Sequence, residues 1–291
     1  MFATIAIRTM PKLNPSNSLT TAHQSAYPVR VATWNIHKGV NGLGPRKRLE
    51  IHNIGLAIDQ FDADIVCLQE VRKIHRGEAK RFARWPEQEQ ADFLAPLGYT
   101  AVYQTNAITK HGEHGNALLT RWPIVSHQHE DMSDHRFEQR GLLHVEVMVH
   151  EVPVHIIVVH LGLIKASRRR QIEQLTTFIK REIPLHAPLL IAGDFNDWGS
   201  ASMAALRILQ LHTFDGITLT GKSLRTFPAR LPIVQLDYIC ARNLTPTAAQ
   251  VPRGQAWARM SDHLPLIAEF VAHDAKEVDN NPAPNSAASP D

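Results

Sequence analysis

Long apolar runs are missing. No stretch of the 291 residues approaches the roughly 18 consecutive apolar residues of a membrane span, which excludes a helical transmembrane protein. Cysteine is scarce: Cys67 and Cys240 each lie inside an apolar strand pattern, at a spacing that matches no C-x-x-C metal or redox motif. Buried structural thiols in a reducing cytoplasm are expected. An excess of one charge is also lacking. Thirty-one basic and 28 acidic residues leave a net charge of +3 and a pI of about 8.9, which permits a phosphate-bearing partner without demanding one. The dense basic stripe of a sequence-independent DNA binder is absent, since Arg168-Arg169-Arg170 and Pro45-Arg46-Lys47-Arg48 are the only dense runs. Met1 to Met10 has no basic segment ahead of its apolar residues, so no cleaved secretory signal is expected. No internal repeat recurs at periods of about 20 to 50 residues.

What is present is a 44% hydrophobic chain, long enough for one large domain with a full core. Residues 1–28 read as a flexible lead-in, 29–272 as the ordered body, and 273–291, rich in Asp, Asn, Pro, Ala and Ser, as a disordered tail. Helical periodicity runs over Arg48 to Gln60 and Arg168 to Ile183, with a third candidate at Ser202 to Leu211. Strand patterns lie between, including Ala117 to Thr120 and Leu142 to Met148. This alternation predicts an α/β body whose sheets are covered by helices.

The strands end alike. Leu189-Leu190-Ile191-Ala192, bounded by Pro188 and Gly193, is too short for a helix face and runs into Asp194, Asn196 and Asp197. An Asx turn would explain that cluster if it stood alone. It does not. Val29 to Trp34 runs into Asn35, Asp64 to Gln69 into Glu70, and Val154 to Val159 into His160; Asp237 follows Leu236, and Asp262-His263 precedes Leu264-Pro265-Leu266. If these strands share sheets, carboxylates, amides and imidazoles converge on one rim. Charged groups resist burial unless paired or metal-bound, so such a rim points to catalysis. Glu70, a lone acid after a buried strand, suits a hard divalent cation such as Mg²⁺. Asp237, if it points inward, would orient a histidine. His127-Gln128-His129 has the look of half a zinc site but lacks further ligands at short spacing.

Taken in order, Thr33-Trp34-Asn35-Ile36-His37, Leu68-Gln69-Glu70, Gly115-Asn116-Ala117-Leu118-Leu119, His160-Leu161-Gly162, Gly193-Asp194-Phe195-Asn196, Leu236-Asp237-Tyr238-Ile239 and Ser261-Asp262-His263 resemble the endonuclease/exonuclease/phosphatase superfamily, over about Val29 to Phe270. The motifs Asn-Ile-His-Lys-Gly and Gly-Asp-Phe-Asn-Asp-Trp resemble its small bacterial metal-dependent hydrolases. The resemblance implies a four-layered, deoxyribonuclease-I-like sandwich, with two mixed β-sheets face to face and helices outside. It implies a Mg²⁺-dependent phosphoester hydrolase, with Mn²⁺ as a substitute. A phosphodiesterase is expected first, acting on nucleic acid, phospholipid or a small diester; a phosphomonoesterase is the alternative, and a non-catalytic scaffold the contrary reading. Glu70 would be the principal metal ligand, with Asn35 and Asp262 beside it. Asp194 and Asn196 would position the attacking water, His263, oriented by Asp237, and His160 would contact the phosphoryl group, and the general base would be Asp194 or the Asp237–His263 pair. Arg168 and Gln171, spaced R-x-x-Q, match a supporting pair, and Arg168 is counted with Asn116 among the substrate contacts. His37, Lys38 and His114 lie next to matched motifs and are candidate phosphate contacts. Trp34 and Trp198 read as packing residues. Four segments, Arg72 to Pro86, Asn106 to Glu113, Asp131 to Gln139 and Leu219 to Val234, are expected to shape specificity.

Overall fold

Apolar residues that alternate between two faces account for the architecture. In the computed structural model, which describes residues 26–135, 138–199, 201–213 and 224–273, the strands are β1 (Ala26–Asn35), β2 (Val40–Asn41), β3 (Arg48–Leu49), β4 (Ile65–His75), β5 (Thr100–Thr109), β6 (Gly112–Thr120), β7 (Ile124–Asp131), β8 (Gly141–Val149), β9 (Val152–His160), β10 (Leu189–Asp194), β11 (His212–Thr213), β12 (Asp237–Arg242), β13 (Thr245–Gln250) and β14 (Leu266–His273). One six-stranded sheet runs β13-β14-β1-β4-β6-β5, the other β11-β12-β10-β9-β8-β7, and β2 and β3 form a small ribbon. Both large sheets are mixed. β1 pairs with β4 in parallel and β9 with β10 in parallel, among antiparallel neighbours.

Val31, Ile65, Cys67 and Leu118 face Val145, Ile156, Val158, Leu190 and Ile239 between the sheets. Their sequence neighbours point the other way, as the two-residue period of a strand requires. Ala32, Trp34, Val66, Leu68 and Leu119 meet the helices α1 (Ile51–Phe61), α3 (Gln90–Leu94) and α6 (Gln255–Met260) through Ile54, Ile58, Phe61, Leu94 and Met260. Ile157, Val159, Leu189 and Ile191 meet α4 (Lys165–Glu182) and α5 (Ala201–Leu206) through Ile172, Leu175, Phe178 and Met203. The sandwich has the expected four layers. Each central Leu, Ile or Phe contributes about 1.5–3 kcal/mol through burial.

Several bounds differ from expectation. Ala26 to Pro28, expected in the lead-in, pair with β14, and His273, expected in the tail, pairs with Ala26. The remainder of those two segments, residues 1–25 and 274–291, lies outside the described residues. The first helix starts at Ile51 because Arg48 and Leu49 pair with Asn41 and Val40. The second begins earlier, at Lys165, and the third leaves α-geometry after Leu206 for a single 3₁₀ turn. Of the four specificity segments, Arg72 to Pro86 opens inside β4 and continues into the short helix α2 (Arg76–Arg81). Asn106 to Glu113 is the β5–β6 hairpin, and the last two segments lie partly outside the described residues.

Cys67 and Cys240 are buried and free, as expected, and burial pushes the Cys240 thiol up to about 12. No described helix is long and apolar enough to cross a membrane. The His127–His129 stretch does not gather a metal shell among the described residues: Gln128 Nε2 meets His144 Nδ1 at 3.2 Å, and His129 Nε2 meets Asn106 Oδ1 at 3.2 Å.

His144 Nε2 lies 3.0 Å from His155 Nδ1, and both rings are buried under α4. Burial and the His155 neighbour lower His144 to about 4, against a weaker pull from Glu182. Burial also lowers His155, with Glu146 acting to raise it and Arg242 to lower it. A folded-state pKa below the unfolded value makes the neutral pair an acid liability. Stability is complete above pH 6.5 and falls as pH drops toward 4, by about 3 kcal/mol from His144. Chemical denaturation across that window is expected to show this loss, with His144→Gln flattening it. A wild-type curve with no drop between those pH values contradicts the assignment.

Candidate active site

β1 and β4 run in parallel with Asn35 opposite Gln69, and β9 and β10 with His160 opposite Asp194. Asp194 is in turn opposite Asp237 at the start of β12. The polar strand ends are therefore delivered to a single rim, at the carboxyl ends of parallel strands where α/β sheets commonly bind ligands.

Glu70 is presented differently from expectation. The strand does not end there. The β4–β6 register passes from Leu68–Ala117 to Val71–Gly115, so Gln69 and Glu70 together face Asn116 across a β-bulge. Glu70 adopts φ 57°, a left-handed conformation uncommon for a residue with a side chain. The bulge aims the carboxylate into the rim, where Lys38 Nζ donates to its Oε2 at 2.7 Å. His37 Nδ1 lies 3.2 Å from Asp262 Oδ1. Asn35 Oδ1 accepts from the His37 backbone N–H at 3.1 Å, and its Nδ2 donates to Asp194 Oδ2 at 3.1 Å.

Asp194 is the hub. Its Oδ2 also lies 3.5 Å from His160 Nε2 and 3.6 Å from His263 Nε2. Its Oδ1 accepts from the Asn196 backbone N–H at 2.9 Å, while Asn196 Nδ2 donates to the Leu161 carbonyl at 2.9 Å. His263 Nδ1 and Asp237 Oδ2 are 2.8 Å apart, so the inward orientation holds. Thr226 Oγ1 accepts from the Leu236 and Asp237 backbone N–H groups, the Ser261 hydroxyl donates to the Asn35 carbonyl, and Trp34 Nε1 donates to the His263 carbonyl. Asp197, the last acid of the cluster, caps α5 by accepting from Ser202 N–H.

Electrostatics separate the two histidines. Burial acts to lower His263, yet Asp237, Asp194 and Asp262 push it up to about 10, so it is an imidazolium at neutral pH. His160 is lowered to about 4 by burial and by Arg140, against Asp194 and Glu70, so it is neutral. Burial raises Asp194 in competition with His263 and His160. A cationic His263 between Asp237 and Asp194 is the stable arrangement, because each buried carboxylate gains a charged neighbour. Burial acts to raise Glu70, but Lys38, His160 and His37 hold it well below the usual carboxylate range. Burial, Lys38, Arg140 and Arg72 together lower His114 to about 4.

The donor set fits a hard cation. Glu70 and Asp262 offer carboxylate oxygens already neutralised by nitrogen cations or donors, and Asn35 offers an amide oxygen beside them. A second group, Asp194, Asp237 and His263, brings ligand atoms within 4.8 Å of one another, and Asp237 Oδ1 is buried there with no hydrogen-bond partner.

Two expected substrate contacts are also engaged within the fold. The Arg168 Nη1 donates to the Gly162 and Leu163 carbonyls, and Gln171 Oε1 accepts from Gly162 N–H, so this pair braces the loop after His160. Asn116 Nδ2 donates to the Gly141 and Val158 carbonyls; its Oδ1 is buried without a partner. Trp198 is 59% exposed beside Phe227, so it is not a core residue, whereas Trp34 is. Sequence reading missed Arg72 and Gln90. Arg72 is buried, with Nη1 unpartnered, and Gln90 Oε1 accepts from its backbone N–H. Gln90 follows Glu87, Gln88 and Glu89 at the start of a short helix, so the sequence pattern does not single it out.

The profile of the Endonuclease/Exonuclease/phosphatase family matches residues 32–263. The uncharacterized protein YbhP of Escherichia coli (strain K12) is 34% identical over 248 residues, covering 84% of this chain and 96% of that protein. YbhP of Shigella flexneri matches to the same extent. Among solved structures, an endonuclease/exonuclease/phosphatase from Beutenbergia cavernae superposes with a TM-score of 0.63 at 20% identity, covering 84% of this chain and 71% of the other. The human Nocturnin catalytic domain with bound sulfate gives 0.63 at 21%, covering 87% and 97%. D. rerio TDP2 complexed with a single-strand DNA product gives 0.56 at 16%, covering 84% and 98%.

Proposed function

Because the chain belongs to the endonuclease/exonuclease/phosphatase family, we propose that its rim site hydrolyses phosphoesters with a divalent cation, and that its substrate is a phosphodiester. One observation carries this reading. Asn35, His160 and His263, from three separate segments, converge on the single oxygen Asp194 Oδ2, which has no folding rationale. Phosphoester hydrolysis is slow without a catalyst, and its transition state spreads charge over the phosphoryl oxygens.

Mg²⁺ would be held by Glu70 with Asn35 and Asp262, and when bound it supplies neutralisation of phosphoryl and leaving-group charge. The chain's own groups do the rest. Asp194 is the general base in preference to His263, which is already protonated at neutral pH. The His263 imidazolium, fixed by Asp237, donates to a phosphoryl oxygen, and neutral His160 donates a second hydrogen bond. Asn196 locks the Asp194 carboxylate through its backbone. Arg168 and Gln171 keep the loop after His160 in place. The two buried free thiols fit a cytoplasmic enzyme.

Turnover of bis-p-nitrophenyl phosphate, p-nitrophenyl phosphate, a phospholipid and single-stranded DNA under Mg²⁺ tests the substrate class. The diester is expected to be hydrolysed faster than the monoester. Faster monoester turnover moves the assignment to a phosphatase, and no turnover on any of them contradicts the hydrolase reading.

A further inference from the structure

Two neighbours on one turn contact two of the carboxylates proposed above to hold the ion. Lys38 Nζ sits on Glu70 and His37 Nδ1 on Asp262, at 2.7 and 3.2 Å. The turn that makes this possible is strained and held. His37 and Lys38 adopt φ 45° and 63°, conformations that cost on the order of 1 kcal/mol or more each and persist only under constraint. The buried amide of Gln90 supplies that constraint. Its Nε2 donates to the Lys38 carbonyl at 3.0 Å, and its Oε1 accepts at 2.8 Å from the N–H of Arg72, two residues beyond Glu70. One side chain thus ties the Lys38 turn to the Glu70 bulge. Gly39 completes the fit, because a Cβ there would meet Gln90 Nε2 at 2.8 Å and Ile51 Cδ1 at 2.9 Å.

We propose that Lys38 is the resident counter-ion of Glu70, displaced when a divalent cation binds, and that the freed ammonium then contacts the substrate phosphate. This rests on the phosphoesterase reading of the same site. The Glu70 side chain is only 16% exposed, so its charge needs a partner in the ion-free protein. An ammonium and a divalent cation on the same carboxylate repel one another strongly. The Lys38 side chain, 29% exposed on a flexible four-carbon stem, has solvent into which to move. The consequence is a pair of effects of opposite sign: removing the Lys38 charge tightens ion binding and weakens substrate binding.

Mn²⁺ binding, measured by calorimetry or electron paramagnetic resonance, and KM for bis-p-nitrophenyl phosphate are compared in the wild-type chain, Lys38→Met, Lys38→Arg and Glu70→Gln. Lys38→Met is expected to bind Mn²⁺ about tenfold tighter while its KM rises several-fold. Lys38→Arg keeps the charge and stays near the wild-type affinity, and Glu70→Gln binds Mn²⁺ more weakly. If Lys38→Met binds Mn²⁺ no tighter although Glu70→Gln weakens it, the counter-ion role alone falls. If Glu70→Gln leaves Mn²⁺ binding unchanged, the ion reading of Glu70 falls with it. Acetic anhydride labelling of Lys38 in the wild-type chain, read by mass spectrometry, needs no variant. Mn²⁺ is expected to raise its reactivity several-fold, and unchanged or reduced labelling overturns the proposal.

Discussion

The His263→Ala variant is expected to lose about 10³-fold or more in kcat on a phosphodiester, a loss that added Mg²⁺ does not repair. The imidazolium is a cationic donor held between two buried carboxylates, and alanine can replace neither its charge nor its hydrogen bond. The same change leaves Asp237 fully buried and unpaired, so it also costs about 3 kcal/mol of stability. Activity is therefore scored per folded molecule. Asp237→Asn separates the two effects. It keeps the shape of the pair but removes an anion that raises His263. Loss of activity at high pH, expected as His263 deprotonates near 10, then moves to lower pH. Full turnover in His263→Ala, or an alkaline limit unmoved in Asp237→Asn, contradicts the role given to this histidine.

Glu70→Gln is expected to lower kcat/KM at low Mg²⁺ by about 10²-fold or more, and to recover partly as Mg²⁺ is raised. The amide keeps the size of the side chain and most of its packing but removes the charge that holds a cation. Lys38 then loses the partner 2.7 Å away, which repels the incoming ion further. Recovery with Mg²⁺ distinguishes this lesion from that of His263→Ala, which affects proton donation. An equal loss at every Mg²⁺ concentration would mean that Glu70 acts by some route other than ion binding.

The rim was legible because an apolar run that stops at an Asn, Asp, Glu or His declares both a buried strand and the polar group at its tip. Asn35, His160 and Asp194 were placed correctly on that logic, and Asp237 once its inward orientation was settled by His263. Glu70 was placed at the end of a buried apolar run, but the bulge that presents it was not foreseen. A β-bulge is a relation between two strands, and nothing within Asp64 to Arg72 records that Asn116 lies opposite two residues. The bracing role of Arg168 was hidden for a similar reason. A basic residue at the start of a helix does not reveal from sequence that its Nη1 donates to the carbonyls of Gly162 and Leu163. Lys38 was named as a phosphate contact, but its pairing with Glu70 spans 32 residues of sequence and depends on a left-handed turn at a lysine, which has no sequence signature. The helix starts shifted because pairing of Arg48 and Leu49 with β2, and the loop braced by Arg168, are tertiary effects that override local periodicity.

The most direct measurement is the initial rate of bis-p-nitrophenyl phosphate hydrolysis by the wild-type chain in Mg²⁺, after EDTA, and after Mg²⁺ or Mn²⁺ is restored. A site built from strand tips around a divalent ion predicts turnover that falls to background with the chelator and returns with the metal. Turnover that survives EDTA, or its absence in either metal, would contradict that account.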